Sequence, residues 1–378
     1  MKFKVPGKVF QQQLQAMSKV LNSKNALKIL DNFHFKVEGD RLWITGSDSE
    51  NVMVSWMEIF EVEGEGEVAI SSKTALDIAK EIGNQPISFE MNDENFHVDV
   101  KYLNGHFEFM GIDGAEFPRR SDDVEAGEET REFILPAEVV FKGIDNTLFA
   151  ASTEQIRPIM TGIFWDIAPD NITFVTSDTH KLVRYINSQA KPEFEGGFVL
   201  PPKPASILRS IINPEISEIK IRMNAKGAIF EFDRFSLSCK FIKGNYPNYK
   251  RVIPENQPFK LTVSREALLT ALRRVALFAS KATSLVRVDV RPTQLVLEAR
   301  DFDYSTLAEE KVDCTYEGSS MIIGFSISYM IEILSNLKSD EIIISLVDPA
   351  RPGIFEPLKQ EPEENMLVLQ MPMQVIEQ

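Results

Sequence analysis

The chain has 378 residues, a formal net charge of −15, and 43% hydrophobic beside 26% charged residues. This composition is that of a folded globular protein of two or three domains, and no apolar stretch approaches the roughly 20 residues that a membrane-spanning helix needs. The acidic balance argues against a surface that binds nucleic acid all over, because phosphate contacts depend on lysine and arginine.

Three segments about 130 residues apart begin alike. Each opens with a strand-like stretch and continues with apolar residues spaced by four, three and four, which is typical of one buried helix face. The openings are Phe3-Lys4-Val5-Pro6, Phe133-Ile134-Leu135-Pro136 and Leu261-Thr262-Val263-Ser264, and the helix positions are Phe10, Leu14, Met17 and Leu21, then Val140, Ile144, Thr147 and Ala151, then Leu268, Leu272, Val275 and Ala279. The sequence therefore indicates three copies of one structural unit.

Three further landmarks keep their order in each copy. A strand-like run with period-two alternation ends at a polar aspartate corner, a second helix follows, and an apolar residue precedes proline near the end. The corners are Asp48, Asp178 and Asp301; the second helices carry Ile78 and Ile82, Leu208 and Ile212, and Ile333 and Leu337; the proline pairs are Phe117-Pro118, Tyr246-Pro247 and Met371-Pro372. We expect an α+β fold with domains at 1–121, 131–255 and 258–378, joined by linkers at 121–130 and 254–258.

The cysteines and histidines do not indicate a disulfide or a metal site. Cys239 and Cys314 lie in strand-like segments of different copies, and we expect buried free thiols. The four histidines have no metal-ligand spacing with them, so we expect no metal and no cofactor. The segment Met1–Val5 enters a strand directly without the apolar core of a signal peptide, which predicts a cytoplasmic protein.

Positive charge is concentrated on two equivalent helices. The segments 6–30 and 267–288 contain basic residues and no acid. One interpretation is a basic helical surface facing a phosphate backbone, with contacts that are independent of DNA sequence. The other is that these residues solvate ordinary amphipathic helices.

Catalytic motifs are weak. Ser177, Asp178 and His180 stand close together, but consecutive corner residues point in divergent directions, and a hydrolytic set also needs an orienting group and oxyanion donors. The sequence has no phosphate-binding loop, dinucleotide fingerprint or diagnostic carboxylate pair. A binding or scaffold role is favoured over a hydrolase that uses Asp178 and His180.

The threefold repeat resembles the bacterial DNA polymerase III beta subunit family, the sliding clamps. Local motifs agree over essentially the full chain: the opening Met1-Lys2-Phe3, the segment 176–182 that is similar to the family's Thr-Asp-Gly-His-Arg-Leu, the segment Tyr246–Pro254, and Met371-Pro372-Met373. The resemblance implies three repeated clamp domains, each with two helices packed on antiparallel sheets. It also implies a head-to-tail homodimeric ring around double-stranded DNA, without enzymatic activity. A separate loader would place the ring on DNA, and the replicative polymerase and repair proteins would bind it through short peptides.

The resemblance also implies functional residues. The basic residues facing DNA would be Lys24, Lys80, Lys203, Arg209, Arg273 and Arg274. The dimer contact would join Phe107 to Leu277 and Phe278, unless these residues belong to the core of their own domains. A peptide cleft between the second and third domains would comprise Arg157, Met160, Ser177, Thr179, His180, Leu182, Pro247, Arg251, Val252, Ala350, Pro352, Met371, Pro372 and Met373.

Four features depart from the family pattern. Thr179 stands where glycine is usual, Lys181 replaces arginine, Ala350 is smaller than the usual aliphatic residue, and Gln374–Gln378 extends past the usual end. The alternative from another class is a monomeric three-domain scaffold that binds peptides but does not encircle DNA. A basic channel and a closed dimer distinguish the clamp from the scaffold.

Overall fold

The computed structural model describes residues 1–92, 94–118 and 130–375. Most of the predicted linker 121–130, and residues 376–378 of the C-terminal extension, lie outside this part. The chain forms two compact units, Met1–Phe141 with Lys203–Phe241, and Lys142–Pro202 with Ile242–Gln378. The middle repeat therefore contributes to both units. In the described ranges, no helix has the length and apolar character needed to cross a membrane.

Each repeat contributes two α-helices, as the sequence predicted. The first helices are α1 (Gly7–Met17), α3 (Ala137–Asp145) and α5 (Arg265–Val275), and the second helices are α2 (Ser72–Ile82), α4 (Pro202–Ile211) and α6 (Ile327–Asn336). Helix α1 packs against α2, and α5 against α6. The predicted apolar positions within α1 and α5 are buried, because they form the faces that these helices turn toward the sheets.

Helix α3 is shorter than its apolar pattern predicted. It ends at Asp145, so Thr147 and Ala151 lie beyond it. The Thr147 hydroxyl donates to the Gly143 carbonyl at 2.6 Å, and the Thr147 carbonyl accepts from the Thr176 hydroxyl at 2.6 Å. These side-chain bonds compete with continuation of the helix. Leu21 and Ala279 likewise lie just past short 3₁₀ turns that follow α1 and α5.

The first unit contains two sheets. The five-stranded sheet has the order β5-β1-β7-β8-β9 and the nine-stranded sheet the order β10-β6-β2-β3-β4-β18-β17-β16-β11. Their strands are β1 (Lys2–Pro6), β2 (Asn32–Glu38), β3 (Arg41–Ser47), β4 (Asn51–Glu58), β5 (Phe60–Glu63), β6 (Gly66–Ser71), β7 (Pro86–Met91), β8 (His97–Tyr102), β9 (Gly105–Met110), β10 (Ile112–Asp113), β11 (Arg131–Pro136), β16 (Glu218–Met223), β17 (Gly227–Phe232) and β18 (Phe235–Lys240).

The second unit is built on a continuous series of twelve strands in the order β15-β12-β13-β14-β26-β25-β24-β19-β22-β21-β20-β23. The strands are β12 (Ile163–Ala168), β13 (Asn171–Ser177), β14 (Lys181–Asn187), β15 (Gly196–Leu200), β19 (Phe259–Ser264), β20 (Leu285–Val290), β21 (Gln294–Asp301), β22 (Thr306–Glu317), β23 (Met321–Ser326), β24 (Glu341–Leu346), β25 (Gly353–Pro357) and β26 (Glu364–Gln370).

Two strand pairs join one repeat to the next. In the first unit β4 pairs antiparallel with β18, with Met53 opposite Leu237. In the second unit β14 pairs antiparallel with β26, with Val183 opposite Val368. All four residues are buried. The nine-stranded sheet and the twelve-strand series are therefore each shared between two repeats, and their cores continue across the boundary between the repeats.

The three predicted corners share one local structure. At each corner, one carboxylate oxygen of the aspartate accepts two backbone N–H groups from the turn. Asp48 Oδ1 accepts from residues 50 and 51, Asp178 Oδ1 from residues 180 and 181, and Asp301 Oδ1 from residues 303 and 304. Aspartate favours such turns because its short side chain replaces a missing backbone acceptor.

Both cysteines are free thiols, but only Cys239 is fully buried, while Cys314 is half-buried. Burial raises the pKa of the Cys239 thiol to about 12. Its thiol is thus held in the protonated form at neutral pH, as expected for a cysteine that serves packing.

Candidate functional site

The second unit contains an apolar floor where β13, β14 and β26 meet. Leu182 on β14 lies opposite Leu369 on β26. The buried residues that form the floor are Val175, Leu182, Tyr249, Ile354, Leu367 and Leu369, with Phe164, Tyr246 and Ile253 packed against them. The cluster includes one predicted cleft residue, Leu182. Several of the remaining predicted cleft residues lie on the segments that surround it.

The segment that follows Tyr246 forms one side of this site. The ring of Tyr246 stacks on Phe164 with centroids 4.9 Å apart, and the Tyr249 hydroxyl donates to Asp166 Oδ2 at 2.7 Å. Burial raises the pKa of both tyrosine hydroxyls, so both remain protonated at neutral pH. These anchors leave Pro247, Arg251 and Val252 exposed, and Val252 is 54% accessible. An exposed aliphatic side chain held on an anchored turn is suited to contact a ligand.

The C-terminal segment forms another side. The Met371 N–H donates to the His180 carbonyl at 2.8 Å, and the Met373 N–H donates to the Gly324 carbonyl at 2.8 Å. Met371 is 43% exposed, so it is not a core residue. Thioether side chains adapt their shape to different apolar partners, which suits a site that binds more than one peptide.

The corner between β13 and β14 supplies Ser177, Thr179 and His180. Ser177 Oγ donates to the Lys181 carbonyl at 2.8 Å and accepts from the Thr179 N–H at 3.1 Å. Thr179 has a φ of 80°, in the region that favours glycine. The backbone at this position is therefore one that favours glycine, and Thr179 retains the turn at a conformational cost.

Lys181 lies beneath the corner with its side chain only 5% exposed. Its ammonium pairs with Asp178 Oδ2 at 2.7 Å and Glu332 Oε2 at 3.0 Å. Burial alone would lower the pKa of Lys181, but the hydrogen bonds and charges of both carboxylates raise it above its usual value. The ammonium also lies 4.5 Å from the ring centroid of Tyr329 on α6. Lys181 therefore ties the corner to α6.

Tyr329 is a residue of this site that sequence reasoning missed. The imidazole of His180 stacks on its ring with centroids 5.8 Å apart. Tyr329 follows the start of α6 and belongs to no motif, so only the pairing of distant segments places it here. A signal was available in principle, because the tyrosine is a partly exposed aromatic residue in the first turn of a repeated helix.

The geometry does not support the hydrolase alternative. Ser177 Oγ donates to a backbone carbonyl, and Asp178 accepts from backbone N–H groups and pairs with Lys181. The imidazole of His180 stacks on Tyr329. Each group is thus engaged in holding the corner, and the three do not form a nucleophile, base and orienting acid.

The remaining predicted cleft residues lie on neighbouring loops. Met160 is buried at the end of a 3₁₀ turn, Pro158–Met160, that follows exposed Arg157. Ile159 in this turn lies against Gly244, in the loop that leads to Tyr246. Pro352 accepts a hydrogen bond from Gln257 at 3.1 Å through its carbonyl, and Ala350 is exposed.

Five of the six predicted DNA-facing residues are exposed, and the sixth, Lys203, is partly buried. The exposed residues are Lys24, Lys80, Arg209, Arg273 and Arg274, with Lys24 in a loop after α1 rather than on a helix. Lys203 Nζ binds four oxygens of the first unit, including Asp48 Oδ2 at 2.5 Å. Lys203 is thus committed to protein contacts, whereas Arg274 pairs with Glu310 but stays exposed.

The predicted dimer residues lie at the surface of the chain. Leu277 is 80% exposed, Phe278 44% and Phe107 38%. The alternative that they fill the cores of their own domains is therefore wrong. Among the residues that the structure describes, no group of three or more histidine, cysteine or acidic side chains could hold a metal ion.

Comparisons with known proteins agree along the whole chain. Models of the DNA polymerase III beta subunit match in order: the N-terminal domain at residues 1–121, the central domain at 134–248 and the C-terminal domain at 250–374. The chain is 24% identical to the "Beta sliding clamp" of Staphylococcus epidermidis over 98% of both chains, and 24% identical to that of Pseudomonas putida over 92% of this chain and 94% of the other.

Solved structures show the same fold. The sliding clamp of Pseudomonas aeruginosa matches with a TM-score of 0.91 at 22% identity, and the beta subunit of Streptococcus pyogenes with a TM-score of 0.92 at 20% identity. Each match covers 99% of this chain and 100% of the other. The predicted fold of three repeated α+β domains is thus confirmed, while their proposed boundaries stay predictions.

Proposed function

Since this chain belongs to the DNA polymerase III beta subunit family and is a sliding clamp rather than an enzyme, we propose that it acts as a ring around duplex DNA. Two copies close head to tail to form this ring, which serves as a processivity subunit. A separate loader opens the ring, and the polymerase and repair proteins bind it through short peptides. The ring acts in the cytoplasm, where bacterial DNA lies.

The main observation that supports the ring is that consecutive repeats within the chain are joined in the same way. Strands β4 and β18 form it in the first unit, and β14 and β26 in the second. The equivalent strands that remain are β9 of the first repeat and the segment 306–313 of β22 in the third. In the described structure β9 pairs only with β8, and this part of β22 pairs only with β21. These two strand edges are unpaired in the described structure and are equivalent to the edges that pair at the internal junctions. They therefore favour a third junction, formed between two copies of the chain.

The internal junctions also predict the register of that third pair. Met53 and Val183 are the core-facing residues that meet Leu237 and Val368. The equivalent residue after the third corner is Ala308, and Phe107 is equivalent to Leu237. We therefore expect Ala308 to lie opposite Phe107 of the partner subunit. This pairing would bury Phe107 on the same face as Val100, its neighbour on β8.

Exposed apolar residues concentrate beside both free edges. Leu277, Phe278 and Leu307 lie near the β22 edge, and Leu103, Phe107 and Met110 lie on or beside β9. Isolated exposed apolar residues are common, but clusters at two complementary edges favour an interface. The predicted contact of Phe107 with Leu277 and Phe278 agrees with this arrangement.

The DNA contacts are weak and independent of sequence. We assign them to the exposed residues Lys24, Lys80, Arg209, Arg273 and Arg274, and exclude Lys203, because its ammonium is partly buried and bound by four protein oxygens. A protein of net charge −15 gains little affinity from a few such residues. Encirclement supplies the retention instead, which leaves the ring free to move along the duplex.

The peptide site is the floor of Leu182 and its neighbours, bordered by Val252, Met371 and the β13–β14 corner. Apolar pockets with a few polar groups around them are typical of small peptide sites. Arg251 and His180 are the polar groups placed to orient the peptide. The site lies within one unit of one chain, so a monomer retains it.

Retention on circular and linear DNA tests the proposal. The ring is loaded by its cognate loader onto nicked circular plasmid, then kept in about 0.5 M NaCl, which removes most direct phosphate contacts. We expect it to remain on the circle and to be lost when a restriction enzyme linearises the plasmid. Equal loss from both forms, with a loader shown to be active on another clamp, would favour the monomeric scaffold.

A further inference from the structure

At each corner the backbone N–H groups of the turn bind one carboxylate oxygen of the aspartate, and at Asp48 the Asn51 side chain also donates to Oδ2 at 3.0 Å. Oδ1 of Asp48, Asp178 and Asp301 accepts the backbone N–H groups. The second oxygen is left to bind another group. What it binds at the two junctions within the chain indicates what it binds at the third.

At the first junction the second oxygen binds Lys203, which lies at the start of α4. The ammonium donates to Asp48 Oδ2 at 2.5 Å, to the Val20 carbonyl at 2.6 Å and to Asn22 Oδ1 at 2.6 Å. Burial alone would raise the pKa of Asp48, but the hydrogen bonds from Lys203 and Asn51 lower it below its usual value. One lysine thus joins the second repeat to the corner and to the end of the first helix in the preceding repeat.

At the second junction a different lysine binds the same oxygen. Ser328 stands on α6 at the place that Lys203 has on α4, five residues before the equivalent positions Ile333 and Leu208. Lys181 takes its role from the corner itself and reaches Asp178 Oδ2 and Glu332 of α6. At both junctions a lysine therefore connects the corner aspartate to the second helix of the following repeat.

At the third corner this oxygen has no such partner in the described structure. Asp301 is 9% exposed, and the hydrogen bonds to it come from the backbone of residues 303 and 304. By helix equivalence, Phe278 and Ala279 take the places of Val20 and Leu21. The residue at the place of Lys203 in the first repeat is Lys73, which is exposed near the start of α2.

We propose that Lys73 of the partner subunit binds Asp301 at each junction between the two copies, together with the carbonyl groups of Phe278 and Ala279. This contact deepens the proposed ring and rests on it. The same kind of ion pair that joins neighbouring repeats within each chain would then stabilise both junctions between the subunits. Because this pair joins separate chains, it is the one that has to break when the ring opens.

A double-mutant cycle tests the pair. Asp301→Asn keeps the turn, since its amide oxygen still accepts the backbone N–H groups, and Lys73→Gln removes the ammonium from an exposed site. A charge-assisted hydrogen bond is worth about tenfold at each junction, so either substitution should raise the dissociation constant of the two-junction ring about a hundredfold. The double variant should be no weaker than the single ones. Analytical ultracentrifugation over a dilution series measures each constant.

Two matched controls and the salt dependence sharpen the result. Lys8→Gln removes an exposed lysine at the start of α1, and Glu317→Gln removes an acid at the far end of β22. Both should leave the dissociation constant within about twofold. Raising NaCl from about 0.05 to about 0.5 M should reduce the difference in dissociation constant between the unmodified chain and Asp301→Asn, because salt screens the ion pair. Small or additive effects of Lys73→Gln and Asp301→Asn in a stable dimer would overturn the pair and leave the ring intact. A monomeric unmodified chain would overturn the ring itself.

Discussion

Thr179 and Ser49 both have a φ of 80° at equivalent corners of the first two repeats. A β-branched residue is unfavourable in this region, because its Cβ approaches the backbone carbonyl. The chain therefore carries strain at the edge of the peptide site. The geometry that this corner shares with the other two is produced by the Asp178 hydrogen bonds rather than by the residue at position 179.

Replacing Thr179 by glycine should stabilise the second unit. Relief of the positive φ is worth about 1–2 kcal/mol, and the greater freedom of glycine in the unfolded chain offsets about 0.4–1 kcal/mol of this. We expect a net gain of about 0.5–1 kcal/mol, seen as a higher urea midpoint. Thr179→Ala is the matched control, because alanine retains the Cβ and the strain. A midpoint for Thr179→Gly at or below that of Thr179→Ala would contradict the assignment of strain.

Sequence reasoning located single residues unevenly. The motif around Asp178 and the segment Met371–Met373 supplied half of the predicted cleft residues, whose role stays a prediction. The engagement of Lys203 was not predictable, since its partners Val20 and Asp48 are distant in sequence and charge counts do not reveal pairing. Tyr329 was missed for the same reason. Local motifs report backbone turns, whereas ion pairs and ring contacts depend on which segments the fold brings together.

At the scale of elements, periodicity predicted the helices better than their ends. The apolar pattern of the first helix continues through Thr147 and Ala151, but α3 ends at Asp145 because the threonine side chain bonds to a carbonyl of the preceding turn. Period-two alternation correctly identified the strands that lead to the corners. Which strand pairs with which other strand was not contained in either pattern.

The elements around the apolar floor should lose peptide affinity when a charge is placed among them. Val252→Asp and Met371→Asp each put a carboxylate where an apolar anchor is expected to be buried, and a lost contact of about 1.5–3 kcal/mol corresponds to at least a tenfold weaker complex. Fluorescence anisotropy with a labelled peptide carrying glutamine and leucine-phenylalanine anchors measures this. Deleting the segment from Met371 onward is less informative, since it also removes the hydrogen bonds to His180 and Gly324.

Ile134→Asp is the control for this experiment, because Ile134 is also an exposed aliphatic residue but lies on β11 in the first unit. It should bind the peptide as the unmodified chain does. If Val252→Asp and Met371→Asp bound the peptide as tightly as Ile134→Asp and the unmodified chain, the peptide site would lie elsewhere.

At the scale of the whole molecule, the proposed ring depends on apolar surface that one chain leaves exposed. Replacing both Leu277 and Phe278 by aspartate would put four carboxylates in place of apolar side chains at the two junctions of each ring. We expect folded monomers by light scattering, because both residues are exposed and each unit has its own core.

Leu27→Asp serves as the matched control, since Leu27 is an exposed leucine outside the two proposed edges. It should remain a dimer with an unchanged circular dichroism spectrum. A dimer that survives the double substitution would move the interface away from the end of α5.

The sequence predicted the threefold repeat but not how the repeats are combined. Similar openings, corners and proline pairs reveal three copies of one unit. They do not reveal that β18 of the middle repeat completes a sheet with β4, or that β14 completes one with β26. Such pairing is set by complementary edges and buried faces, for example Met53 against Leu237, which no single repeat displays.

Because sheets are shared between repeats, a single repeat is not a suitable fragment to produce on its own. A fragment made from the middle repeat alone, residues 131–255, would carry β18 and β14 without the strands that cover them. Both would present unpaired backbone groups beside apolar side chains such as Leu237 and Val183, a combination that promotes aggregation. Duplicated sequence and independent folding therefore do not coincide in this chain, because each compact unit combines two separate stretches of sequence and no continuous fragment contains one unit alone.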